Sequence, residues 1–521
     1  MSIYSRKQCT LEDAVNMIHD NDCVILGGFI GAVVPECIEK GIEDRFLKTG
    51  KPRNLKIIFA AGQGDAGTKA VNHLSHEGLV TSAIGGHWGL IPKLQKLANE
   101  GKITGYNLPQ GVICHLFRDS AAGKLGTLTH VGLGTFVDPR VEGGKINDKT
   151  QEDIVSVTEI NGVENLFYKK IDANIAILRG TTSDQSGNIT MEDECLILEN
   201  LAAAQLVHNN GGKVIVQVKQ IVRDGTLDPL QVRIPGIYVD AVVVSEDEYH
   251  MQTFAEYMNF SYVGKGVKEV KDKETRPLDI KKIIARRAAM ELKKNAVVNY
   301  GIGAPEVIAE VTDEEGITSE LIATVEPGAI GGTPAGGLSF GASSFPQAII
   351  TQDQMFDFYD GGGLDQAFLG LAETDEKGDL NVSKFGTKIA GCGGFINITQ
   401  NAKKVYFCGS FTAGKNKIYV SNGKLHIKED GSVKKFIKKV QQITFSSDTA
   451  RKNNKEVFYI TERAVFRLSQ KSIELIEIAP GVDLQKNIIE CMEFVPEISP
   501  SLKIMDERIF LEQPMGLELK D

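Results

Sequence analysis

The sequence predicts an α/β protein made of two related open α/β domains, and three observations support this prediction. Short β-branched runs end in glycines and are followed by amphipathic helical patterns, as in layered folds where strand, turn and helix alternate. Similar segments recur in the same order in both halves of the chain. A charged stretch that is poor in large apolar residues separates the two halves. We therefore predict an N-terminal domain over 1–270 and a C-terminal domain over 271–521.

Glycine is the outlier of the composition, at 54 of 521 residues against an average usage of about 7%. The positions of the glycines are more informative than their number. Apolar runs at 24–26, 296–298 and 389–390 each lead into a glycine-rich turn. This pattern is typical of a buried strand that ends at a tight turn.

Three pairs of segments carry the internal repeat. The first pair predicts a strand, a glycine turn and the start of a helix; the second predicts a strand, a turn and a second strand; the third predicts a strand. The pairs are 23–38 with 296–308, 172–190 with 365–382, and 209–218 with 400–409. Matches in the same order are much harder to obtain by chance than any single match.

The segment 264–282 is charged and contains a proline, which predicts an exposed linker and a domain boundary near residue 270. The spacing between the repeated segments is longer in the first half. We therefore expect an insertion of about 50 residues within 101–169, a size that surface loops tolerate because closure entropy grows slowly with length.

Charge and cysteine usage exclude several classes of partner. The 58 basic and 68 acidic residues give a formal net charge of -10, so no global positive field attracts nucleic acid or a membrane surface. No apolar run is long enough to span a bilayer, and residues 1–23 do not resemble a signal or transit peptide. Eight cysteines without a regular framework predict reduced thiols. We expect a cytoplasmic protein.

Four common motifs were weighed as alternatives. Residues 337–341 match G-x-S-x-G, but no apolar strand precedes Ser339, which disfavours a serine hydrolase. The run from Gly301 lacks the third glycine of a dinucleotide fingerprint, and the chain has no P-loop sequence. His73 and His76 lack the HExxH spacing, so no metal site is predicted.

The segment 322–344, IATVEPGAIGGTPAGGLSFGASS, stands out instead. A strand-like stretch delivers one carboxylate, Glu326, to a loop of Gly, Ala, Pro and small hydroxyl residues. A solvated turn glutamate is the simpler interpretation of a single Glu-Pro-Gly. The loop is long and carries no other charge, however, and its glycines leave backbone N–H groups available as donors. A carboxylate is ionised at neutral pH and needs no general base, so Glu326 is the candidate nucleophile.

Several segments resemble the class I (family I) CoA-transferases, in particular the acetate and propionate CoA-transferase branch. The run GGFIGAVVP at 27–35 resembles their N-terminal signature, and Glu326 with Gly328 resembles their E-x-G catalytic motif. The resemblance covers nearly the whole chain and departs at Pro327, where related enzymes often carry Ser or Asn. Further similar segments are GHWGLIPKL (86–94), NLPQGVICHLFRD (107–119), GLGTFVDPR (132–140), GTLDP (225–229), FDFYDGGGLD (356–365) and NVSKFGTKIAGCGGFINITQN (381–401).

The resemblance implies a site at the interface of the two domains and a ping-pong reaction through a glutamyl-CoA thioester on Glu326. It implies that the Gln110 amide and the Gly394 backbone N–H form an oxyanion hole. By the same resemblance, CoA contacts the turn formed by Gly301, Ile302, Gly303, Ala304 and Pro305 and the residues Gly393 and Gly394, whereas Gly28 and Phe29 shape the acyl pocket. Gly28 and Gly393 are equally compatible with tight turns that have no other role.

The expected substrates are acyl-CoA and a small carboxylic acid, with no permanently bound cofactor. Acetate, propionate, butyrate, lactate and acetoacetate all stay open as acids. Family habit implies a homo-oligomer, either a dimer or a tetramer. Two alternatives also stay open, namely a CoA-thioester hydrolase on the same fold and a non-catalytic acyl-CoA sensor in which Glu326 is dispensable.

Overall fold

The structure is a computed structural model that describes residues 7–267 and 275–520. Packing divides the chain into two compact units. The first unit comprises Met1–Lys268, Val325–Asp357 and Thr387–Asn397, and the rest of the chain forms the second unit. Two segments of the predicted C-terminal domain are thus packed within the first unit. The boundary near 270 lies outside the described residues, and the division into 1–270 and 271–521 stays a prediction.

The helices and strands of the described residues are as follows. The α-helices are α1 (Leu11–Asn16), α2 (Glu36–Thr49), α3 (Pro92–Asn99), α4 (Gln110–Ala121), α5 (Asn200–Asn209), α6 (Ile280–Ala289), α7 (Glu306–Glu314), α8 (Gln352–Asp360), α9 (Phe395–Asn401) and α10 (Ser447–Lys452). The strands before the described gap are β1 (Cys23–Leu26), β2 (Leu55–Phe59), β3 (Val80–Gly85), β4 (Thr104–Asn107), β5 (Gly126–Thr129), β6 (Val155–Ile160), β7 (Val163–Lys169), β8 (Ile175–Arg179), β9 (Thr182–Asp184), β10 (Ile189–Thr190), β11 (Lys213–Val218), β12 (Gln220–Val222), β13 (Val232–Ile234) and β14 (Ala241–Val244). The strands after it are β15 (Val297–Tyr300), β16 (Ile322–Thr324), β17 (Ala329–Ile330), β18 (Thr333–Pro334), β19 (Ser343–Ser344), β20 (Ala348–Ile349), β21 (Gln366–Gly370), β22 (Glu373–Asp375), β23 (Leu380–Asn381), β24 (Lys384–Phe385), β25 (Lys388–Ile389), β26 (Lys404–Cys408), β27 (Thr412–Ala413), β28 (Lys417–Ser421), β29 (Lys424–Glu429), β30 (Val433–Lys434), β31 (Phe436–Ile437), β32 (Glu456–Ile460), β33 (Ala464–Leu468), β34 (Ile473–Ile478) and β35 (Glu497–Ile504).

A parallel sheet of seven strands forms the centre of the first unit, in the order β14-β11-β8-β1-β2-β3-β4. Its strands are rich in Val and Ile, as expected when a parallel sheet is buried. Val24, Ile57 and Ile177 are fully buried in the core on one face of this sheet. Because all strands run the same way, the loops that follow them lie at one edge.

The second unit contains a sheet in which eight strands follow the order β16-β15-β21-β26-β32-β33-β34-β35. The pairs from β16 to β32 are parallel, and the strands beyond β32 form antiparallel pairs before a final parallel one. Aromatic side chains fill its core, where the rings of Phe368 and Tyr406 stack with centroids 4.7 Å apart. Such pairs contribute about 0.5–1.5 kcal/mol beyond their buried area.

The repeated segments occupy equivalent places in the two sheets. The neighbours β1-β8-β11 in the first unit correspond to β15-β21-β26 in the second, all in parallel pairs. The hairpin β9-β10 likewise corresponds to β22-β23. The predicted α/β class with two related open α/β domains is confirmed.

The predicted insertion and linker have different outcomes. The region 101–169 contains a separate antiparallel sheet in the order β5-β7-β6. The prediction of an exposed linker over 264–282 is wrong at its C-terminal end, because α6 begins at Ile280 and Lys282 is buried beside Glu314, with an N···O distance of 2.7 Å. The apolar face of α6 explains the burial, since the lysine lies on the same helix as the core residue Ile283. Residues 268–274 lie outside the described part.

None of the described helices is both long enough and apolar enough to span a membrane.

A buried carboxyl group lies next to α4 and α5 in the first unit. Glu199, which precedes α5, is 2% exposed, and its Oε2 lies 3.9 Å from the Cys114 Sγ. Gln352 donates a hydrogen bond from Nε2 to that sulfur, at 3.0 Å. Burial raises the pKa of Glu199 from its ordinary 4.5 to about 8. The folded protein therefore binds this proton more tightly than the unfolded chain does.

Replacing Glu199 by Gln should flatten the dependence of stability on pH. In the parent protein the free energy of unfolding should fall as pH rises from 4.5 towards 8, because the folded state holds a proton that the unfolded state releases. Glu199→Gln removes that difference, so its stability relative to the parent should be highest above pH 8. Thermal unfolding across this pH range measures the effect, with the exposed Glu507→Gln as a charge-matched control. Parallel curves for the parent and Glu199→Gln would contradict the prediction.

Candidate active site

The loops that follow β1, β2, β3 and β4 lie together at the carboxyl edge of the first sheet, which is where open α/β sheets bind ligands. Hydrogen bonds link these loops to one another. The Ile30 N–H donates to the Gly62 carbonyl at 3.0 Å, and the Gly64 N–H donates to the Ile30 carbonyl at 2.9 Å. The Asn107 side-chain amide donates to the Gly85 carbonyl at 2.8 Å. Hydrogen bonds therefore hold the loops at this edge of the sheet together.

Gln110 is the first residue of α4 and is 2% exposed. Its backbone N–H donates to the Gly393 carbonyl at 2.9 Å, but its side-chain Nε2 is buried and has no hydrogen-bond partner. An unsatisfied buried donor costs about 1–3 kcal/mol, so such groups in native proteins need an explanation. A donor held ready for an oxyanion is one explanation that fits the predicted role of Gln110.

The loop 390–394 is fixed to this edge by its own backbone. The N–H groups of Trp88 and Gly89 donate to the Ala390 carbonyl at 2.7 and 3.0 Å. The Cys392 N–H donates to the Asn107 side-chain oxygen at 3.0 Å, and the Gly393 N–H donates to the Gly86 carbonyl at 2.7 Å. The glycine turn that sequence analysis assigned to CoA and the oxyanion is thus held against the loops after β3 and β4.

Gln110 and Gly393 lie next to each other. A Cβ atom added to Gly393, where φ is 52°, would lie 3.7 Å from the Gln110 Oε1. The next residue, Gly394, donates no backbone hydrogen bond to any residue that the structure describes. Its N–H is therefore compatible with the predicted second donor of an oxyanion hole.

Glu326 lies at a tight turn in the segment Val325–Asp357 of the first unit. The Gly328 N–H donates to the Val325 carbonyl at 3.0 Å, and the Val325 N–H donates to the Ala329 carbonyl at 2.9 Å. The Glu326 side chain is half-buried, and Pro327 is buried beside Gly341. The loop beyond it is a long hairpin in which β17 pairs with β20 and β18 with β19. The ordered hairpin holds the predicted nucleophile in a defined turn.

The predicted acyl-pocket residues contact this hairpin. The Phe29 ring stacks on Phe340, with centroids 6.0 Å apart and an interplanar angle of 26°. Gly28 has a φ of 137°, and a Cβ atom there would lie 2.9 Å from the Gln63 side chain. Ile30 and Val33 have φ values of 54° and 57°, which are strained for β-branched residues and are characteristic of functional sites. The turn after β1 is thus held by the hairpin that carries Glu326.

The predicted CoA-binding turn 301–305 belongs to the second unit, at the carboxyl end of β15. The Gly301 N–H donates to the Phe368 carbonyl at 2.8 Å, and the Gly303 N–H donates to the Glu306 carboxylate at 2.9 Å. Ile302 is 53% exposed, which leaves an apolar side chain on the surface of the turn. Its contact with CoA stays a prediction.

The competing motifs form no catalytic site among the described residues. Ser339 is buried in a short 3₁₀ turn, where its hydroxyl lies 2.8 Å from the Thr253 hydroxyl and 3.0 Å from the Glu256 carboxylate. The turn lies in the hairpin loop between the two-residue strands β18 and β19, and not between a buried strand and a helix, so it is not a nucleophile elbow. His73 and His76 form hydrogen bonds with Glu43, and no group of potential metal ligands occurs in the described part of the chain.

Sequence analysis assigned no role to Asn107 or His87, although both lie in segments that it singled out. Asn107 connects β4 to the loop 390–394, as described above. His87 lies between Gly86 and Gly89, and those flanking glycines were an available signal, because glycine often marks a close approach of backbone to another group.

Comparisons with known proteins identify the family of the chain. Residues 9–245 match the family described as Coenzyme A transferase. The chain is 45% identical over 98% of its length to acetate CoA-transferase YdiF of Escherichia coli strain K12, covering 96% of that protein. It is also 45% identical over 98% of its length to caffeate CoA-transferase of Acetobacterium woodii, covering 99% of that protein. A crystal structure of the acyl-CoA transferase YdiF of Escherichia coli O157:H7, in thioester complex with CoA, has a TM-score of 0.94 at 43% identity, and the match covers 99% of this chain and 98% of that one.

The fold and these comparisons therefore define an enzyme that acts on CoA thioesters. The chain belongs to the Coenzyme A transferase family and is a CoA-transferase.

Replacing Gly328 by Ala should disrupt the turn that carries Glu326. At its φ of 126° an added Cβ atom would overlap the Ile350 carbonyl oxygen, which is backbone and cannot move aside easily. We expect a loss of activity together with a lower melting temperature. Gly337→Ala is the matched control, because Gly337 also has a positive φ, 60°, but an added Cβ atom meets nothing within 4 Å. The free energy of unfolding of Gly337→Ala should fall by about 1 kcal/mol, and its activity should be unchanged. Equal losses of activity and stability in the two variants would contradict the prediction.

Proposed function

We propose that this enzyme moves CoA from an acyl-CoA to a short-chain carboxylate by a ping-pong mechanism, through a glutamyl-CoA thioester on Glu326. The observation that carries the proposal is the buried, unpartnered Nε2 of Gln110, a residue whose backbone N–H donates to the Gly393 carbonyl, in the same unit as the Glu326 turn. Such a donor is expected where negative charge develops only during a reaction.

The proposed chemistry needs no cofactor, metal or ATP. A Glu326 carboxylate oxygen attacks the thioester carbonyl carbon, and the C–S bond breaks to give a mixed anhydride and CoA thiolate. The thiolate attacks the Glu326 carbonyl carbon, releasing the donor carboxylate and leaving the glutamyl-CoA thioester. The acceptor carboxylate then repeats these steps in reverse order, which yields the new acyl-CoA and regenerates Glu326. No proton enters or leaves in this sequence.

Each attack creates a tetrahedral carbon with a negatively charged oxygen. We assign the Gln110 Nε2–H and the Gly394 N–H as its donors, because both groups lack an acceptor in the described residues and both adjoin Gly393. A fixed donor that gains its partner only at the oxyanion stage stabilises the transition state more than the ground state. Removal of one such donor typically costs about 10²–10³ in rate.

The acid and the CoA site are further parts of the proposal. The relatives named above act on acetate and on caffeate, so the family accommodates acids of very different size. We propose a short-chain acid such as acetate, propionate or butyrate, because the buried Phe29 and Phe340 rings occupy the space beside the acyl turn. The thioester complex of YdiF with CoA supports a covalent CoA intermediate. We also propose that the turn 301–305 binds CoA and that the enzyme is a homo-oligomer.

Incubation with an acyl-CoA and no acceptor acid should leave CoA attached to the peptide that contains Glu326, as peptide mass spectrometry would reveal. The reason is that the first half of the reaction ends at the thioester when no acceptor carboxylate is added. Glu326→Gln should bind CoA without forming the adduct, and its turnover should fall to the detection limit.

Glu326→Ala controls for slow deamidation of the introduced Gln, with intact mass measured before and after the assay. An adduct on Ser339 or on a cysteine would assign the nucleophile elsewhere. CoA release that continues at the same rate without an acceptor acid would identify a hydrolase, and unchanged function of the Ala variant would favour a sensor.

Gln110→Ala should lower turnover by about 10²–10³-fold, because it removes one proposed oxyanion donor. CoA binding should change little, since the oxyanion exists only during the reaction. Gln110→Glu is the shape-matched control, in which a carboxylate replaces the donor and should reduce turnover at least as strongly. Steady-state kinetics and CoA titration distinguish these effects, and a change confined to the Michaelis constant would remove Gln110 from the site.

A further inference from the structure

His87 occupies the loop that follows β3, between the loop 390–394 and the loop that follows β2. Its backbone forms a bridge with Gly391, and the neighbouring Trp88 N–H donates to the Ala390 carbonyl at 2.7 Å. A Cβ atom added to Gly393 would lie 4.0 Å from the His87 Cβ and 3.7 Å from the Gln110 Oε1. His87 and Gln110 therefore flank the same glycine.

The other side of the His87 ring faces the loop after β2. A Cβ atom added to Gly62 would lie 2.5 Å from the His87 Nδ1, and one added to Gly89 would lie 3.0 Å from its Cε1 and Nε2. The Gly62 carbonyl in turn accepts the hydrogen bond from Ile30 in the acyl turn. The ring is thus enclosed by backbone that continues into the predicted acyl pocket.

The two ring nitrogens of His87 have different surroundings. Nδ1 is buried and has no hydrogen-bond partner. Nε2 also has no hydrogen-bond partner among the described residues, but unlike Nδ1 it is not buried, so it is accessible. Burial, together with the nearby Lys388, lowers the pKa of His87 to about 4. The ring is therefore neutral at neutral pH, and its one proton is best placed on the accessible Nε2.

We propose that His87 contacts the reacting acid, donating a hydrogen bond from Nε2 to a carboxylate or acyl oxygen of the substrate beside Gln110. This inference rests on the proposed function, to which it adds a residue that helps select the acid. A neutral donor suits this place, because an imidazolium would form an ion pair with a carboxylate substrate and with the carboxylate nucleophile, and would stabilise the ground state. The enclosed ring leaves only Nε2 to make the contact.

Two substitutions separate the donor from the shape of the ring. His87→Phe keeps a planar ring but has no donor, whereas His87→Gln places an amide N–H₂ near the position of Nε2. The readouts are kcat/KM for a panel of acids with acetyl-CoA, the division of any effect between kcat and KM, and CoA binding by titration. We expect His87→Phe to lower kcat/KM for the acid by about 10–100-fold, as for loss of a hydrogen bond to a charged group. His87→Gln should restore most of it, and both variants should bind CoA normally.

Unchanged kinetics in His87→Phe would overturn the proposal, and so would equal impairment of the Phe and Gln variants, because the ring would then act through packing alone. If thermal unfolding reveals that His87→Phe does not fold, His87→Ala is assayed with and without added imidazole. Restored acid kcat/KM supports the proposal, and failure of imidazole to restore it overturns it. If the parent enzyme turns over but forms no CoA adduct on Glu326, the proposed mechanism is refuted. The comparison of the His87 variants with the parent enzyme still tests whether His87 donates to the acid.

Discussion

The hydrogen bond from the Gln110 N–H to the Gly393 carbonyl is the contact on which the site depends most. It joins the first residue of α4 to a loop far away in the sequence, at 2.9 Å. The Gly393 N–H donates in turn to the Gly86 carbonyl, so the loop is held on both sides by main chain. Backbone hydrogen bonds of this kind hold the two proposed oxyanion donors, the Gln110 side chain and the Gly394 N–H, in fixed positions relative to each other. Side-chain substitutions that leave the backbone in place therefore test chemistry rather than folding.

Close approach of backbone to its neighbours also accounts for several glycines in the segments around the site. Backbone can approach backbone so closely only where no Cβ atom intervenes. A Cβ atom on Gly391 would lie 2.9 Å from the Gly86 carbonyl oxygen, and one on Gly341 would lie 2.7 Å from the Phe29 ring. Sequence analysis interprets the loop after Glu326 as one whose glycines leave their N–H groups available. In the structure most of the glycines in this loop serve close approach, and the loop is a paired hairpin.

The sequence predicted most of the fold and only part of the site. The strands β1, β8 and β11 and their counterparts β15, β21 and β26 follow from local patterns of apolar runs and turns, which the sequence carries directly, whereas their order in the sheet does not. The packing of 325–357 and 387–397 within the first unit depends on long-range contacts such as the Cys392 N–H to Asn107 bond, for which no local pattern exists. His87 was missed for the same reason, because its proposed role depends on three loops that meet only in the folded chain.

The electrostatics of the site follow from the kind of chemistry that a carboxylate nucleophile requires. A cation beside Glu326 would stabilise the ionised carboxylate before reaction and so reduce its tendency to attack. Gln110 is an amide, and the His87 ring is neutral because desolvation lowers its pKa to about 4. Both groups can therefore bind a transient oxyanion or a carboxylate oxygen without holding the nucleophile in its resting state. In the proposed mechanism, neutral donors at this edge give a larger difference in stabilisation between transition state and ground state than a cation would, and that difference determines the rate.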